Sequence, residues 1–204
     1  MSDIKLNFIN QSNDQNNSSV VIFQQNVAID FGEIAVAWKV IKNCGRNDNH
    51  PFVFPIGYTA NVNDSFGNFT QQIEAEHGQV YEAKEHPTGL VLDYASTVTN
   101  ANEIQVANQL QAGSINANIY KNGKLLAVKT NVVPAQKAVF EFKPTIWIGV
   151  VSEINEGDIL NSAIISQINT ELSLYGILSA DILMTGGGSK NEPLKFSLEN
   201  VVMA

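Results

Sequence analysis

Three histidines, His50, His77 and His86, are the side chains of this 204-residue chain best suited to acid–base or metal chemistry. Imidazole titrates near neutrality and binds iron or zinc. With Glu74, Glu76, Glu82 and Glu85 close by, these histidines are the candidates for a two-histidine, one-carboxylate iron site. Their spacing does not preset that geometry. Alternation along a strand puts Glu74 and Glu76 on one face and His77 on the other, and it sets Lys84 beside Glu82 as a counter-charge. His50 precedes Pro51 in a turn-like stretch, and no His-x-His or His-Glu-x-x-His pattern occurs. No cofactor and no catalytic residue is expected.

Other chemistry has less to work with. There is no Gly-x-Ser-x-Gly elbow. Gly186-Gly187-Gly188-Ser189-Lys190 lacks the Gly-Lys-Ser/Thr of a phosphate loop, and Pro193 interrupts any helix after it. Cys44, the single cysteine, sits in Lys42-Asn43-Cys44-Gly45-Arg46 without a neighbouring base, and it cannot form an internal disulfide. The segment from Asn61 to Asn68 offers oxygen ligands, Asn63 and Asp64 among them, but not the spacing of a calcium loop, so an Asn/Asp turn is expected.

Binding without catalysis has more support. The chain carries 24 Asn and 12 Gln but only 12 Lys+Arg, so hydrogen-bonding capacity comes mostly without charge. Tyr58 and Tyr120 are candidate stacking platforms for a sugar, whereas Trp38 and Trp147 lie in apolar alternating runs and belong in a core. A net charge of −8 argues against a nucleic-acid partner. The N-terminal residues lack the basic-then-apolar order of a signal peptide, and no apolar run reaches the ~18–20 residues of a membrane helix. A cytoplasmic protein, or one exported without an N-terminal signal peptide, is expected.

The elements that must position these residues are strands. Period-2 alternation recurs at Ile4–Phe8, Ile34–Ile41, Ile115–Tyr120 and Leu178–Met184, with Gly, Pro and Asn-rich breaks between. Asn122-Gly123 predicts a two-residue type I′ hairpin joining Ile115–Tyr120 to Leu125–Thr130. The best helical pattern, Asn100–Leu110, competes with a strand through Ile104, Val106 and Asn108. The alternating stretches about Gly176 read as a sandwich hairpin, with a pore-forming hairpin as the alternative. No 20–50-residue repeat and no interruption between domains is visible. The expected fold is all-β: one antiparallel two-layer β-sandwich, jelly-roll-like, over residues 1–204, with a closed β-barrel as the alternative.

Several segments together carry a resemblance: Asn7-Phe8-Ile9-Asn10-Gln11-Ser12-Asn13-Asp14, Ile34 to Cys44, Phe140-Glu141-Phe142-Lys143-Pro144 and Ala180 to Gly188. The chain resembles a bacterial family of proteins of about this length, sometimes labelled aromatic ring-opening dioxygenase. The resemblance implies iron and a catechol-type substrate, and it carries no catalytic position onto this sequence. The residues themselves point first to a non-catalytic protein that associates with itself into a homo-oligomer or larger assembly. The alternatives are a lectin-like or membrane-binding effector, with a glycan or membrane surface as partner, and a metal-dependent ring-opening dioxygenase.

Overall fold

The computed structural model describes residues 3–14, 18–28, 33–187 and 192–204. Alternation becomes strand along most of them. The first half of the chain holds β1 (Ile4–Asn10), β2 (Ser19–Phe23), β3 (Glu33–Ala35), β4 (Lys39–Ile41), β5 (Asn49–Phe54), β6 (Tyr58–Asp64), β7 (Ile73–Ala75), β8 (Gln79–His86) and β9 (Gly89–Thr97). The second holds β10 (Ile104–Asn108), β11 (Ile115–Lys121), β12 (Lys124–Val132), β13 (Lys137–Phe140), β14 (Thr145–Val151), the one-turn helix α1 (Ser162–Ile165), β15 (Thr170–Ser173), β16 (Ile177–Thr185) and β17 (Lys195–Met203). The fold is an all-β sandwich architecture, and none of its four sheets closes into a barrel.

No compositional break marks a boundary, yet the contacts divide the chain into two compact units. Unit 1 takes residues 1–24, 37–56 and 144–204; unit 2 takes 25–36 and 57–143. Unit 1 has a mixed sheet in the order β17-β16-β1-β5 and an antiparallel sheet β15-β14-β2-β4. Its core is built on Leu6, Phe8, Val21, Ile22, Ile146, Ile148 and Ile182, with Trp38 edge-on to Phe54 at 5.5 Å. Unit 2 has a mixed sheet β13-β10-β8-β9 and an antiparallel sheet β3-β12-β11-β6-β7. Its core holds Val62, Tyr81, Ile104, Val106, Ile119, Leu126 and Phe140.

The two units share one topology. Set β6 through β13 in chain order beside β14, β15, β16, β17, β1, β2, β4 and β5. The parallel pair β8·β10 then matches β16·β1, and β8·β9 matches β16·β17. Likewise β10·β13 matches β1·β5, β6·β11 matches β14·β2, and β11·β12 matches β2·β4. In strand order unit 1 is a circular permutant of unit 2, and among the described strands β3 alone lacks a counterpart. The chain therefore consists of two halves of like strand order, and each unit takes four of its matched strands from each half.

Individual hydrogen bonds repeat with the topology. The Asn10 amide donates to Asp48 O (3.1 Å), Gln11 to Met184 O (2.9 Å) and Asn47 to Asn10 O (2.6 Å). In unit 2 Asn108 donates to Gln136 O (2.8 Å), Gln109 to Ala83 O (3.0 Å) and Ala135 to Asn108 O (2.9 Å). Gly78 O accepts from Val98, and Gly176 O from Ala204, both at 2.8 Å. Positive φ recurs at Asn43 and Asn131 (54° and 57°) and at Asn47 and Ala135 (70° and 65°). These matches hold residues 39–62 against 127–150 at a constant shift, yet only Val40, Asn43, Phe52, Phe54 and Val62 find an identical residue there.

Local expectations fared unevenly. The Asn122-Gly123 turn forms as expected, with φ of 52° and 70°. Asn100–Leu110 yields the strand β10, because Ile104 and Val106 are both needed inward between β8 and β13. The hairpin about Gly176 does not form. β15 pairs with β14 in one sheet and β16 with β1 and β17 in the other, so Gly176, at φ 71°, turns the chain between the two sheets of unit 1. Ile164 and Ile168 fall on a helical turn and its exit, where Asn161 Oδ1 caps the Ile164 amide at 2.9 Å.

Candidate functional site

The three histidines do not converge. His50 stands on β5 of unit 1, opposite Phe8 on β1. His77 lies in the turn before β8 and His86 ends that strand, so the length of β8, roughly 23 Å by strand rise, lies between them. The His77 ring meets Asn102 O at 2.7 Å and stands edge-on to Tyr58, while His86 Nδ1 meets Thr88 Oγ1 at 3.1 Å. Among the described residues no three His, Cys, Asp or Glu gather as metal ligands. Lys84 Nζ lies 2.6 Å from Glu82 Oε2, the pairing that alternation predicts.

Tyr58 points inward with Ala60 and Val62. It is 7% exposed, stacked on Phe142 at 5.4 Å, with the Lys121 ammonium 4.1 Å from its ring centre. The ring that the sequence offers as a sugar platform is thus occupied by protein on both sides. Tyr120 is half-buried and donates to Asn61 Oδ1 at 3.2 Å; burial pushes its phenol up. Asn118 Nδ2 donates to Asn61 Oδ1 and Asn63 Oδ1, each at 3.0 Å, tying β11 to β6. Here the surplus of Asn clamps neighbouring strands.

Asp64 closes the loop after β6. Its Oδ1 accepts the Phe66 and Asn68 amides and its Oδ2 accepts Asn68 Nδ2, all at 2.9 Å, with Gly67 at φ 87°. The Asn68 side chain, then the backbone amides, hold the Asp64 carboxyl below its usual range. Both oxygens serve the turn, and the turn lifts Phe66 (88% exposed) and Phe69 (62%) into solvent. A depressed carboxyl stabilises the closed loop above its unfolded pKa and loses that contribution as pH falls through the folded value. The Phe66 and Asn68 amide NMR shifts are therefore expected to titrate with a midpoint below the ~3.9 of a free aspartate. A midpoint at or above that figure contradicts the lock.

Cys44 is half-buried; burial first, then Asp48, pushes its thiol up, away from the reactive thiolate. Of the Gly186–Pro193 loop, residues 188–191 lie outside the described residues, as do 15–17 of the Asn10–Ser19 loop. A shallow groove of unit 2 gathers Glu74, Glu76 and Asp93 around Tyr81 and Tyr94. Tyr81 Oη is already engaged there, donating to Gln79 Oε1 at 2.5 Å and accepting the Glu76 amide at 2.9 Å. No nucleophile and base face each other in it.

The surface feature with most unmet capacity is the open strand edge. β9 and β17 are equivalent strands of the two units, nine residues each, and among the described residues each hydrogen-bonds to a sheet neighbour on one side only. β17 carries Val201 (41% exposed), Val202 (52%) and Met203 (60%), with Leu178 on β16 and Tyr175 before it also exposed. Lys195 and Glu199 are its only charges, and Asn200, at φ 49°, bulges it near the middle. Proline and charge, the usual guards of an edge, are absent from its last four residues. Sequence reasoning missed this site because a strand's pattern does not say whether it has two neighbours. The class that the structure defines is an all-β sandwich protein, with β9 and β17 at the ends of their sheets. The chain matches no protein-family model, no curated protein and no solved structure.

Proposed function

We propose that this protein works by self-association, as a non-catalytic β-sandwich whose copies pair along open strand edges. The observation that carries the reading is β17: nine residues bonded on one side, ending in three exposed apolar side chains. Its free amides and carbonyls are a template for another strand, and the adjoining apolar side chains add burial when that strand comes from a second copy. Low charge density favours like-with-like packing, while the net charge of −8 keeps single copies soluble.

Light scattering behind size exclusion, over a concentration series, is expected to give multiples of the 22.2 kDa chain. Val202→Lys places a charge on the exposed edge at little cost to the fold, and it is expected to shift association to at least ~10-fold higher concentration, a change of about 1.4 kcal/mol. A monomer at every concentration, or assembly indifferent to Val202→Lys, rejects the edge.

A second reading rests on Phe66 and Phe69, two exposed rings on a turn locked by Asp64. Such a tip suits a sugar face or a lipid surface. Binding to glycans or neutral liposomes that disappears in Phe66→Ala would support it.

A further inference from the structure

We infer that residues 144–204 form an arm that copies of this chain exchange, so that β1 of one copy takes β16 of another in the register it uses at home. This goes beyond edge pairing, since it names the segment exchanged and fixes the partner as a second copy of the chain.

Unit 1 is assembled from the two ends of the sequence. β1 pairs with β16 over six consecutive residues, from Lys5↔Ser179 to Asn10↔Met184, and β2 pairs with β14 over five, from Phe23↔Trp147 to Ser19↔Val151. The arm that brings β14 and β16 leaves unit 2 at one place, between Lys143 and Pro144. Unit 2 keeps every one of its strands when the arm departs. Opening the arm therefore breaks strand pairing in unit 1 and none in unit 2, a sub-global event.

The pairing of halves does not depend on how they are connected. In unit 2 the β6–β9 half is joined to the β10–β13 half by residues 98–103. In unit 1 the corresponding halves are separated by residues 57–143. The same topology and the same terminal hydrogen bonds form either way. An arm from a second copy satisfies every one of these bonds, so the exchanged and closed forms differ in the hinge and in concentration, and little else. That is the condition under which domain swapping occurs.

Cross-strand cysteines test this directly. Asn7 and Asp181 face each other in the β1·β16 register, with Asn7 Nδ2 3.2 Å from Asp181 Oδ1, and neighbouring strands fall within the roughly 4.4–6.8 Å Cα separation of a disulfide. Two full-length chains, one Asn7→Cys and one Asp181→Cys, both carrying Cys44→Ser, are mixed, opened in mild denaturant, returned to buffer and oxidised. The expected product is a disulfide-linked pair at twice 22.2 kDa, its share rising with protein concentration and at least ~10-fold above the mismatched Asn7→Cys and Ser197→Cys pair. Lys5→Cys with Ser179→Cys is the second register pair, in case the first disturbs folding. Refolded chains without a register-specific link, at any concentration and in both pairs, overturn the exchange. Oligomers lacking the link also overturn it and leave edge pairing standing; a monomeric untreated protein that yields the link keeps the exchange and removes the edge.

Discussion

Asn108→Ala is expected to cost about 2–4 kcal/mol, a large loss for one small polar side chain. Asn108 is fully buried at the end of β10. Its Nδ2 donates to Val132 O at 2.8 Å and Gly113 O at 3.0 Å, and its Oδ1 accepts the Leu110 amide at 2.9 Å. Alanine leaves two carbonyls and an amide without their partner where the chain turns away from the sheet, and a buried unpaired group costs about 1–3 kcal/mol. Entry of water into the space left behind keeps the total below the sum. Asn10 is the counterpart in unit 1: Nδ2 donates to Cys44 O at 2.7 Å and Oδ1 accepts the Ser12 amide at 2.9 Å. Asn10→Ala is expected to cost a similar amount, about 2–4 kcal/mol, because the Cys44 carbonyl and both the amide and the hydroxyl of buried Ser12 lose their partner. The two sites share no partner, so the double variant is expected to lose the sum in denaturant titrations. A loss under ~1 kcal/mol for Asn108→Ala contradicts the account.

The residues that locate β strands were legible because their information is local. Ile4, Leu6 and Phe8 alternate with polar neighbours and all three are buried; Asn122-Gly123 makes the turn its φ values require. Tyr58 carried a signal that its reading as a sugar platform passes over. It shares a face with Ala60 and Val62, and a face carrying two small apolar residues is an inner one. Pairing at long range left no such trace. Nothing near Asn7 announces that its neighbour is Asp181, and nothing near Gly176 distinguishes a hairpin from a turn between sheets. The repeated topology leaves little trace in the sequence for a related reason. Its period is about half the chain, with halves that exchange strands, and its best-aligned stretch keeps few identical residues. What is retained is what the backbone needs: Asn at positive φ, an amide side chain closing the first strand of each half, Phe at alternate positions. The open edges of β9 and β17 follow from that topology, and no property of either strand alone gives them.

Ending the chain at Lys143 is expected to abolish unit 1 and leave unit 2 folded. Without residues 144–204, β1 keeps only β5 and β2 keeps only β4. Two isolated two-stranded ribbons cannot bury Leu6, Phe8, Val21 and Ile22, and such ribbons are marginal at best in water. Unit 2 loses no strand. Tryptophan separates the outcomes: both tryptophans belong to unit 1, and truncation leaves Trp38 as the only one. Trp38 is 3% exposed in the intact chain, against Phe52 and Phe54. In the truncated chain its emission is expected to move to that of an indole in water, while the far-ultraviolet β signal of unit 2 persists with a cooperative melt. Adding a separately produced 144–204 segment should return the emission to that of a buried ring, since the segment brings β14 and β16 in their own registers. Emission that stays buried after truncation would mean that β1, β2, β4 and β5 hold together without the arm, and opening the arm would then no longer expose the pairing surfaces on which exchange between copies depends.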